Sequence, residues 1–328
     1  MKLSIIIVNY KAWQHIQNAL DTLGADFPND WEMIVVDNES AADELAHYQR
    51  RYPWAKMIGH PRNSGFGSGC NFGVKRATGI QLLFMNPDVV ATIDEIRALI
   101  AEKAAHPEVG IISPKQVGAN GQPQKVFDEF PGLLNQSKVL KTMIRGMLPG
   151  RKPNPRSAHQ DLVYCDWVTG SFLLIDRADF DRIDGWSTDY WMYVEDTDLC
   201  KRATEAGMRI AYTPCVQVVH EHGGSSRINF AVKAMTKLEV IISKHVYTRS
   251  HMHGIHAALT HCFIASLQLS SLTLTTILNY ATFGRYANLR VHRDILSGLI
   301  GYYWGVLRTK TWLSPRAKEN QRTQPGAS

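Results

Sequence analysis

The sequence has few cysteines and no Cys-x-x-Cys pair: Cys70, Cys165, Cys200, Cys215 and Cys262 are scattered and odd in number. That argues against a disulfide framework or a thiolate zinc site and predicts a reducing compartment. No Gly-Lys-Ser/Thr closes a glycine run, which disfavours a phosphate P-loop, and no G-x-G-x-x-G follows a strand, which disfavours a dehydrogenase. A long N-terminal apolar run is also missing. Residues 3–8 are apolar apart from Ser4 and are followed by Asn9 and Lys11, so this start is read as structure rather than as a leader. What is present suits a folded chain: 328 residues, 45% hydrophobic and 20% charged, enough for one large core or two smaller ones.

Acidic residues are scarce at one end. Residues 1–230 hold 24 Lys/Arg against 27 Asp/Glu, whereas residues 231–328 hold 12 against 3, a net charge of +9. Such a tail needs an anionic partner or a solvated surface. No zinc-finger spacing, RNA-binding aromatic signature or repeated basic run is present, so no nucleic-acid partner is expected. Residues 250–284 contain no Asp, Glu, Lys or Arg and precede Arg285, Arg290 and Arg293. Twelve polar residues within 255–283 disfavour a bilayer span. Ile255, Leu259, Phe263, Leu267, Leu274 and Leu278 approach a helical stripe, and Tyr302, Tyr303 and Trp304 lie between Arg293 and Arg308. Two readings stay open: helices lying in an anionic headgroup layer, or a helical lid packed on the main domain or on a second subunit.

Ahead of the tail, short apolar runs at 3–8, 31–36 and 81–85 alternate with helix-like stretches near 13–23, 42–50 and 68–77. Continuous apolar strands between amphipathic helices predict an α/β fold with a mostly parallel central sheet covered on both faces. Ligands of such sheets bind at the carboxyl ends of the strands. Asn9-Tyr10, Asp37-Asn38-Glu39-Ser40 and Asn86-Pro87-Asp88 stand there. Each is also a good helix cap or turn; three together point to a ligand crevice.

The loop Arg62-Asn-Ser-Gly-Phe-Gly-Ser-Gly-Cys-Asn71 has glycines at alternate positions, so the backbone can approach another group closely. A helix beginning near Gly67 would present N–H groups to an anion. Further on, Glu195, Asp196 and Asp198 open a predicted helix, where carboxylates suit the dipole; one of them is a candidate general base. A strand at 216–219 runs into His220-Glu221-His222, and His220 with Asp88 is a candidate pair for a divalent ion on a diphosphate.

The motifs Ser4-Ile-Ile-Ile-Val-Asn-Tyr10, Val35-Val-Asp-Asn-Glu-Ser40, Asn63-Ser-Gly-Phe-Gly-Ser-Gly-Cys-Asn71, Phe84-Met-Asn-Pro-Asp88, Gly170-Ser171, Glu195-Asp196 and His220 together resemble glycosyltransferase family 2, in its rhamnosyltransferase-like branch. The resemblance covers residues 1 to about 225 and implies a GT-A nucleotide-sugar-binding domain over 1–230; charge and apolar pattern predict a basic, mainly helical region over 231–328, with a membrane surface as one of its two open readings. It implies that Asn9, Tyr10, Asp37, Asn63, Gly65, Asn71 and Asn86 bind the nucleotide donor. Asp88 and His220 would hold Mg²⁺ or Mn²⁺, Asp196 would be the catalytic base, and Trp167, Trp191 and Glu195 would contact the acceptor. Asn86 stands where the family's metal-binding Asp-x-Asp has its first acid, which removes one charge. The activity implied is inverting transfer of a sugar, L-rhamnose by best match, from a dTDP- or UDP-linked donor to a saccharide, for bacterial surface polysaccharide. The basic tail with its uncharged stretch predicts that this saccharide is carried on polyprenyl diphosphate at the cytoplasmic face of the membrane. The competing expectations are a non-catalytic nucleotide-sugar-binding or assembly protein and a nucleotidyltransferase. The latter ordinarily has a basic glycine loop after the first strand, where this chain has Asn9-Tyr10-Lys11.

Overall fold

The computed structural model describes residues 1–24, 26–39, 42–147, 153–155, 157–221 and 230–322. Its strands are β1 (Leu3–Asn9), β2 (Trp31–Asn38), β3 (Lys56–His60), β4 (Gln81–Met85), β5 (Val89–Val90), β6 (Val109–Val117), β7 (Phe127–Asp128), β8 (Val163–Cys165), β9 (Trp167–Val168), β10 (Phe172–Asp176) and β11 (Arg209–His220). The helices are α1 (Trp13–Gly24), α2 (Ala42–Arg51), α3 (Phe66–Val74), α4 (Ile93–Ala105), α5 (Lys138–Met147), α6 (Arg177–Arg182), α7 (Glu195–Glu205), α8 (Phe230–His251), α9 (Gly254–Ala281), α10 (Ala287–Thr309) and α11 (Pro315–Arg322). Two compact units interleave along the chain: Met1–Phe130, Lys152–Ser187 and Glu195–Ser225 form the first, and Pro131–Arg151, Thr188–Val194 and Ser226–Ser328 the second. No single cut near residue 230 separates them, because the stretches 131–151 and 188–194 pack with the helices rather than with the sheet.

The first unit is built on one large mixed sheet, ordered β3-β2-β1-β4-β10-β6-β11-β5, with β8 also on β11. β1, β2, β3 and β4 run parallel, and β6 and β11 run the same way beyond the antiparallel β10. β5 and β8 oppose β11, so six of these nine strands share a direction. Both faces are covered. Leu3, Ile5 and Ile7 join one core with Trp13, Ile16, Leu20 and Leu23 of α1 and Ile96 and Leu99 of α4. Ile6 and Val8 point the other way, into a second core with Cys70 and Val74 of α3 and Leu199 and Ala203 of α7. Alternating side chains buried on both sides explain why β1 reads as an unbroken apolar run.

The structure corrects some expected elements. The helix expected at 68–77 is α3, starting at Phe66, and the strand expected at 216–219 is the end of the twelve-residue β11. β11 shifts register between Thr213 and Gln217, an irregularity that hides its first half from a pattern search. In α3, a Cβ on Gly69 would lie 2.8 Å from Val8 Cγ1, and one on Gly73 would lie 2.8 Å from Ile6 Cγ2. These glycines let the helix rest on β1.

The second unit has α8, α9 and α10 as its main helices. α9 is inverted in polarity: Thr260, His261, Ile264, Leu272, Thr276 and Asn279 are buried, while Ile255, Leu259, Leu274, Ile277 and Leu278 are exposed. By length and composition it is long and apolar enough to cross a membrane, with a mean hydropathy of 1.3 over its most apolar window. Such a helix is weak evidence of a span.

Candidate active site

Parallel strands deliver polar residues to one edge of the sheet. Asn9 and Asp37 are register partners at the ends of β1 and β2, and Asn9 Nδ2 donates to Asp37 Oδ1 at 2.8 Å. Asn9 Oδ1 accepts from the Ala12 amide at 3.0 Å, which fixes the side chain. Tyr10 follows, partly exposed, with Lys11 Nζ 5.2 Å from its ring centre.

The glycine loop is organised by Asn38, a member of the strand-end group Asp37-Asn38-Glu39-Ser40 to which the sequence assigns no individual role. Its Nδ2 donates to Asn63 Oδ1 at 3.1 Å and to the Gly65 carbonyl at 3.2 Å, while its Oδ1 accepts from the Ser64 amide at 3.1 Å. Asn63 Oδ1 also accepts from the Gly65 amide at 3.1 Å. Gly65, at φ 87°, caps α3 in a conformation that side chains disfavour. The available signal was position: Asn38 stands at a strand end beside Asp37. Asn71 joins a different set. Its Nδ2 donates to the Trp186 carbonyl at 2.7 Å and its Oδ1 accepts from the Trp186 amide at 3.0 Å, so it clamps α3 to the turn after α6.

Asp88 and His220 meet. The Asn86 amide donates to the Ser171 carbonyl at 2.8 Å, and the Val89 amide closes a turn on the Asn86 carbonyl at 3.1 Å. Antiparallel pairing of Val89 with His220 then sets the two side chains together, His220 Nε2 lying 3.3 Å from Asp88 Oδ1. Both residues are at least nine-tenths buried. On its other side, His220 Nδ1 lies 2.8 Å from Gln116 Oε1, which also accepts from Ser171 Oγ at 2.9 Å. With Nδ1–H donating to Gln116, the Nε2 lone pair faces the carboxylate, and two converging electron-pair donors fit a divalent cation. Among the described residues, no third His, Cys, Asp or Glu completes a cluster, and His222 lies outside them. The residues present thus fit a two-ligand site whose other positions suit water and phosphate oxygens.

The helix expected to open with acids does so. The backbone enters α7 through Tyr193 and Val194, at φ 68° and 69°, a strained region for a β-branched residue. Asp196 Oδ2 accepts from the Gly170 amide at 3.1 Å, and its Oδ1 from the Thr197 amide at 2.7 Å. Burial raises the Asp196 carboxyl above the usual range, and those hydrogen bonds oppose the shift. Glu195 faces inward with Leu199 and Ala203, and its Oε2 has no hydrogen-bond partner among the described residues. Burial first, and then the neighbouring Asp196 and Asp198, push Glu195 up to about 8. Glu195 thus favours its protonated form, whereas the hydrogen bonds from the Gly170 and Thr197 amides favour the ionised form of Asp196. Asp198 has a structural role: its carboxylate binds Arg202 Nε at 2.8 Å, and the same guanidinium reaches the Ile183 carbonyl.

One dipeptide ties these groups together. Gly170 donates to Asp196, the Ser171 carbonyl accepts from Asn86, and Ser171 Oγ donates to Gln116, which supports His220. Of the expected acceptor contacts, Trp167 is half-buried on β9, with its Nε1 donating to the Glu129 carbonyl at 2.9 Å. Trp191 is buried in the second unit, 4.7 Å from the Arg316 guanidinium, and Glu195 points into the interior.

Residues 4–160 match the family described as glycosyl transferase family 2, and residues 158–222 match the N-terminal domain of galactosyltransferase. Rhamnosyltransferase WbbL of Escherichia coli K12 is 28% identical over 227 residues, 66% of this chain and 82% of that protein. The N-acetylglucosaminyl-diphospho-decaprenol L-rhamnosyltransferase of Mycobacterium tuberculosis is 23% identical over 240 residues, 68% of this chain and 77% of that one. In fold, the chain is similar to the mannosyltransferase PcManGT of Pyrobaculum calidifontis, solved with GDP-Man and Mn²⁺: the TM-score is 0.53 at 15% identity, covering 93% of this chain and 87% of the other. The chain is a glycosyltransferase of GT-A fold, similar to glycosyltransferase family 2 over residues 4–160 and to rhamnosyltransferases over about two thirds of its length.

Proposed function

We propose that this enzyme transfers L-rhamnose, with inversion, from a dTDP-linked donor to a saccharide carried on a polyprenyl diphosphate at the cytoplasmic face of the membrane. The observation that carries the site assignment is the Gly170-Ser171 dipeptide, which binds the Asp196 carboxylate on one side and the Asn86 turn and the support of His220 on the other. Asn9 and Asp37 hold the nucleoside, and Asn38 holds Asn63 and Gly65 in register beside them. Asp88 and His220 would hold Mg²⁺ or Mn²⁺, which supplies positive charge to the departing diphosphate. Asp196 takes the proton of the acceptor hydroxyl as its oxygen bonds to the anomeric carbon and the bond from that carbon to the diphosphate breaks. Its raised pKa makes it a stronger base, and the protonated form favoured by Glu195 beside it leaves the charge undivided.

The lipid-linked acceptor is supported by the name of the mycobacterial relative and by the outward apolar side of α9, flanked by Arg285, Arg290 and Arg293. The test is Asp196→Asn assayed on a panel of nucleotide sugars with Mn²⁺. Turnover falls about 10²–10⁴-fold while donor binding persists. Unchanged turnover would remove Asp196 as the base, and a donor other than dTDP-rhamnose would correct the sugar.

A further inference from the structure

The second unit contains a hollow of about 670 Å³, a size usual for small-molecule sites, and it lies outside the residues assigned so far. It exists because α9 presents Ala257, Ala258 and Ala265 towards α10, where bulkier side chains would fill the gap. Its wall includes Trp312, whose ring lies flat on His261, with 4.0 Å between ring centres and 7° between planes. His245 stacks on the same indole at 4.7 Å, and its Nδ1 is 2.8 Å from that of His261. Burial lowers both imidazoles, His261 to about 4 and His245 to about 3, so the aromatic wall is uncharged at neutral pH. Arg249, about half exposed and 3.7 Å from Asp189, is the only fully charged lining residue among the described residues.

The surroundings say what kind of molecule fits. Ile255 and Leu259 of α9 and Ile300, Trp304 and Leu307 of α10 are exposed, the last three spaced along one helical face, and Leu307 also lines the hollow. The net charge of +9 over 231–328 attracts anionic head groups. A hydrocarbon chain with an anionic head matches the apolar hollow, the apolar surroundings and the cation at the rim. We propose that this hollow holds the isoprenoid chain of the acceptor lipid, with Arg249 towards its diphosphate. The inference rests on the lipid-linked acceptor proposed above.

Thiol labelling of the full-length protein tests it without measuring turnover. Cys262 lines the hollow and is exposed, Cys215 is exposed in the other unit and serves as reference, and Cys70 and Cys200 are buried. Farnesyl diphosphate at ten times its dissociation constant slows maleimide labelling of Cys262 about tenfold and leaves Cys215 unchanged. Inorganic diphosphate alone gives no protection, and dodecanoate protects far less at the same concentration. No slowing by farnesyl diphosphate would overturn the assignment. Equal protection by dodecanoate would transfer the hollow to membrane acyl chains, and protection from raised protein concentration alone would transfer it to a second copy of the chain. Ala265→Phe fills the space and lowers binding of radiolabelled farnesyl diphosphate at least tenfold; should this variant not fold, the labelling of the native protein decides alone. Sugar transfer to a prenyl-linked acceptor with Cys262 unprotected sinks the hollow and spares the proposed function. Protection without transfer to any prenyl-linked acceptor does the reverse.

Discussion

Replacing Glu195 by Gln should stabilise the protein at neutral pH, although the residue adjoins the proposed base. Glu195 is 7% exposed, its Oε2 has no hydrogen-bond partner among the described residues, and its pKa is pushed from 4.5 to about 8. Between those two values the folded chain holds a proton that the unfolded chain has released, so stability falls as pH rises through this window. The slope is about 1.4 kcal/mol per pH unit. From pH 5.5 to 7.5 the native protein therefore loses roughly 2–3 kcal/mol through this group, and Glu195→Gln, which has nothing to ionise, does not. The other titrating groups are common to both proteins and, apart from Asp196 and Asp198, which interact with Glu195, cancel in the difference. Urea unfolding of the two at pH 5.5, 6.5 and 7.5, followed by far-UV circular dichroism, should show curves that diverge with pH. At about 2–4 °C per kcal/mol, the corresponding thermal midpoints separate by about 5–10 °C. The variant keeps its turnover, since a protonated Glu and a Gln carry the same charge. Parallel curves would mean that Glu195 ionises normally in the fold, and the argument that Asp196 alone carries the charge would fall with it.

Asn71→Ala removes both hydrogen bonds to the Trp186 backbone and should cost about 1–3 kcal/mol of stability by thermal unfolding, while the donor KM stays within about twofold. A large rise in donor KM without loss of stability would return Asn71 to the nucleotide pocket. Leu274→Glu with Leu278→Glu, on the outward side of α9, should abolish co-sedimentation with anionic liposomes and leave donor binding intact. Unchanged co-sedimentation would favour the helical-lid reading.

Much of the sheet unit was legible because its strands announce themselves. β1, β2 and β4 are buried on both faces, so their sequences are mostly apolar, Ser4, Glu32 and Gln81 apart, and the polar residues that end them mark the ligand edge. β3 is five residues long and half exposed, and β6 contains Gly110 and Pro114, so neither shows a clean pattern. The meeting of Asp88 with His220 depends on β5, two residues long, pairing with the end of a strand more than a hundred residues away. Spacing could nominate these residues as a pair, but long-range register had to deliver them. Gln116 was missed, and Asn38 had no role of its own, because each works through a neighbour: one orients His220 and the other shapes the loop at 63–65. The three glycines of the loop at 62–71 read as allowing the backbone to approach another group closely. Gly65 does turn the chain, whereas Gly69 makes room for Val8.

Asn86 in place of an acid has a consequence for how metal and donor bind. Asp88 contributes one negative charge, and an imidazole acting as a ligand contributes none. A divalent ion held by Asp88 and His220 would keep an excess positive charge and have few protein ligands among the described residues, so it would be held weakly alone and strongly when diphosphate oxygens complete its shell. By linkage, the nucleotide must then tighten metal binding by the same factor as metal tightens the nucleotide. A coupling in the ordinary range of 1–3 kcal/mol makes each affinity about 5–150-fold higher in the presence of the other. Titrating Mn²⁺ by electron paramagnetic resonance, with and without dTDP, measures this directly, and Asp88→Asn should collapse the difference. Equal Mn²⁺ affinity in the two titrations would show that Asp88 and His220 do not bind the ion that touches the diphosphate. Their 3.3 Å contact would then be a buried pair bracing β5 against β11.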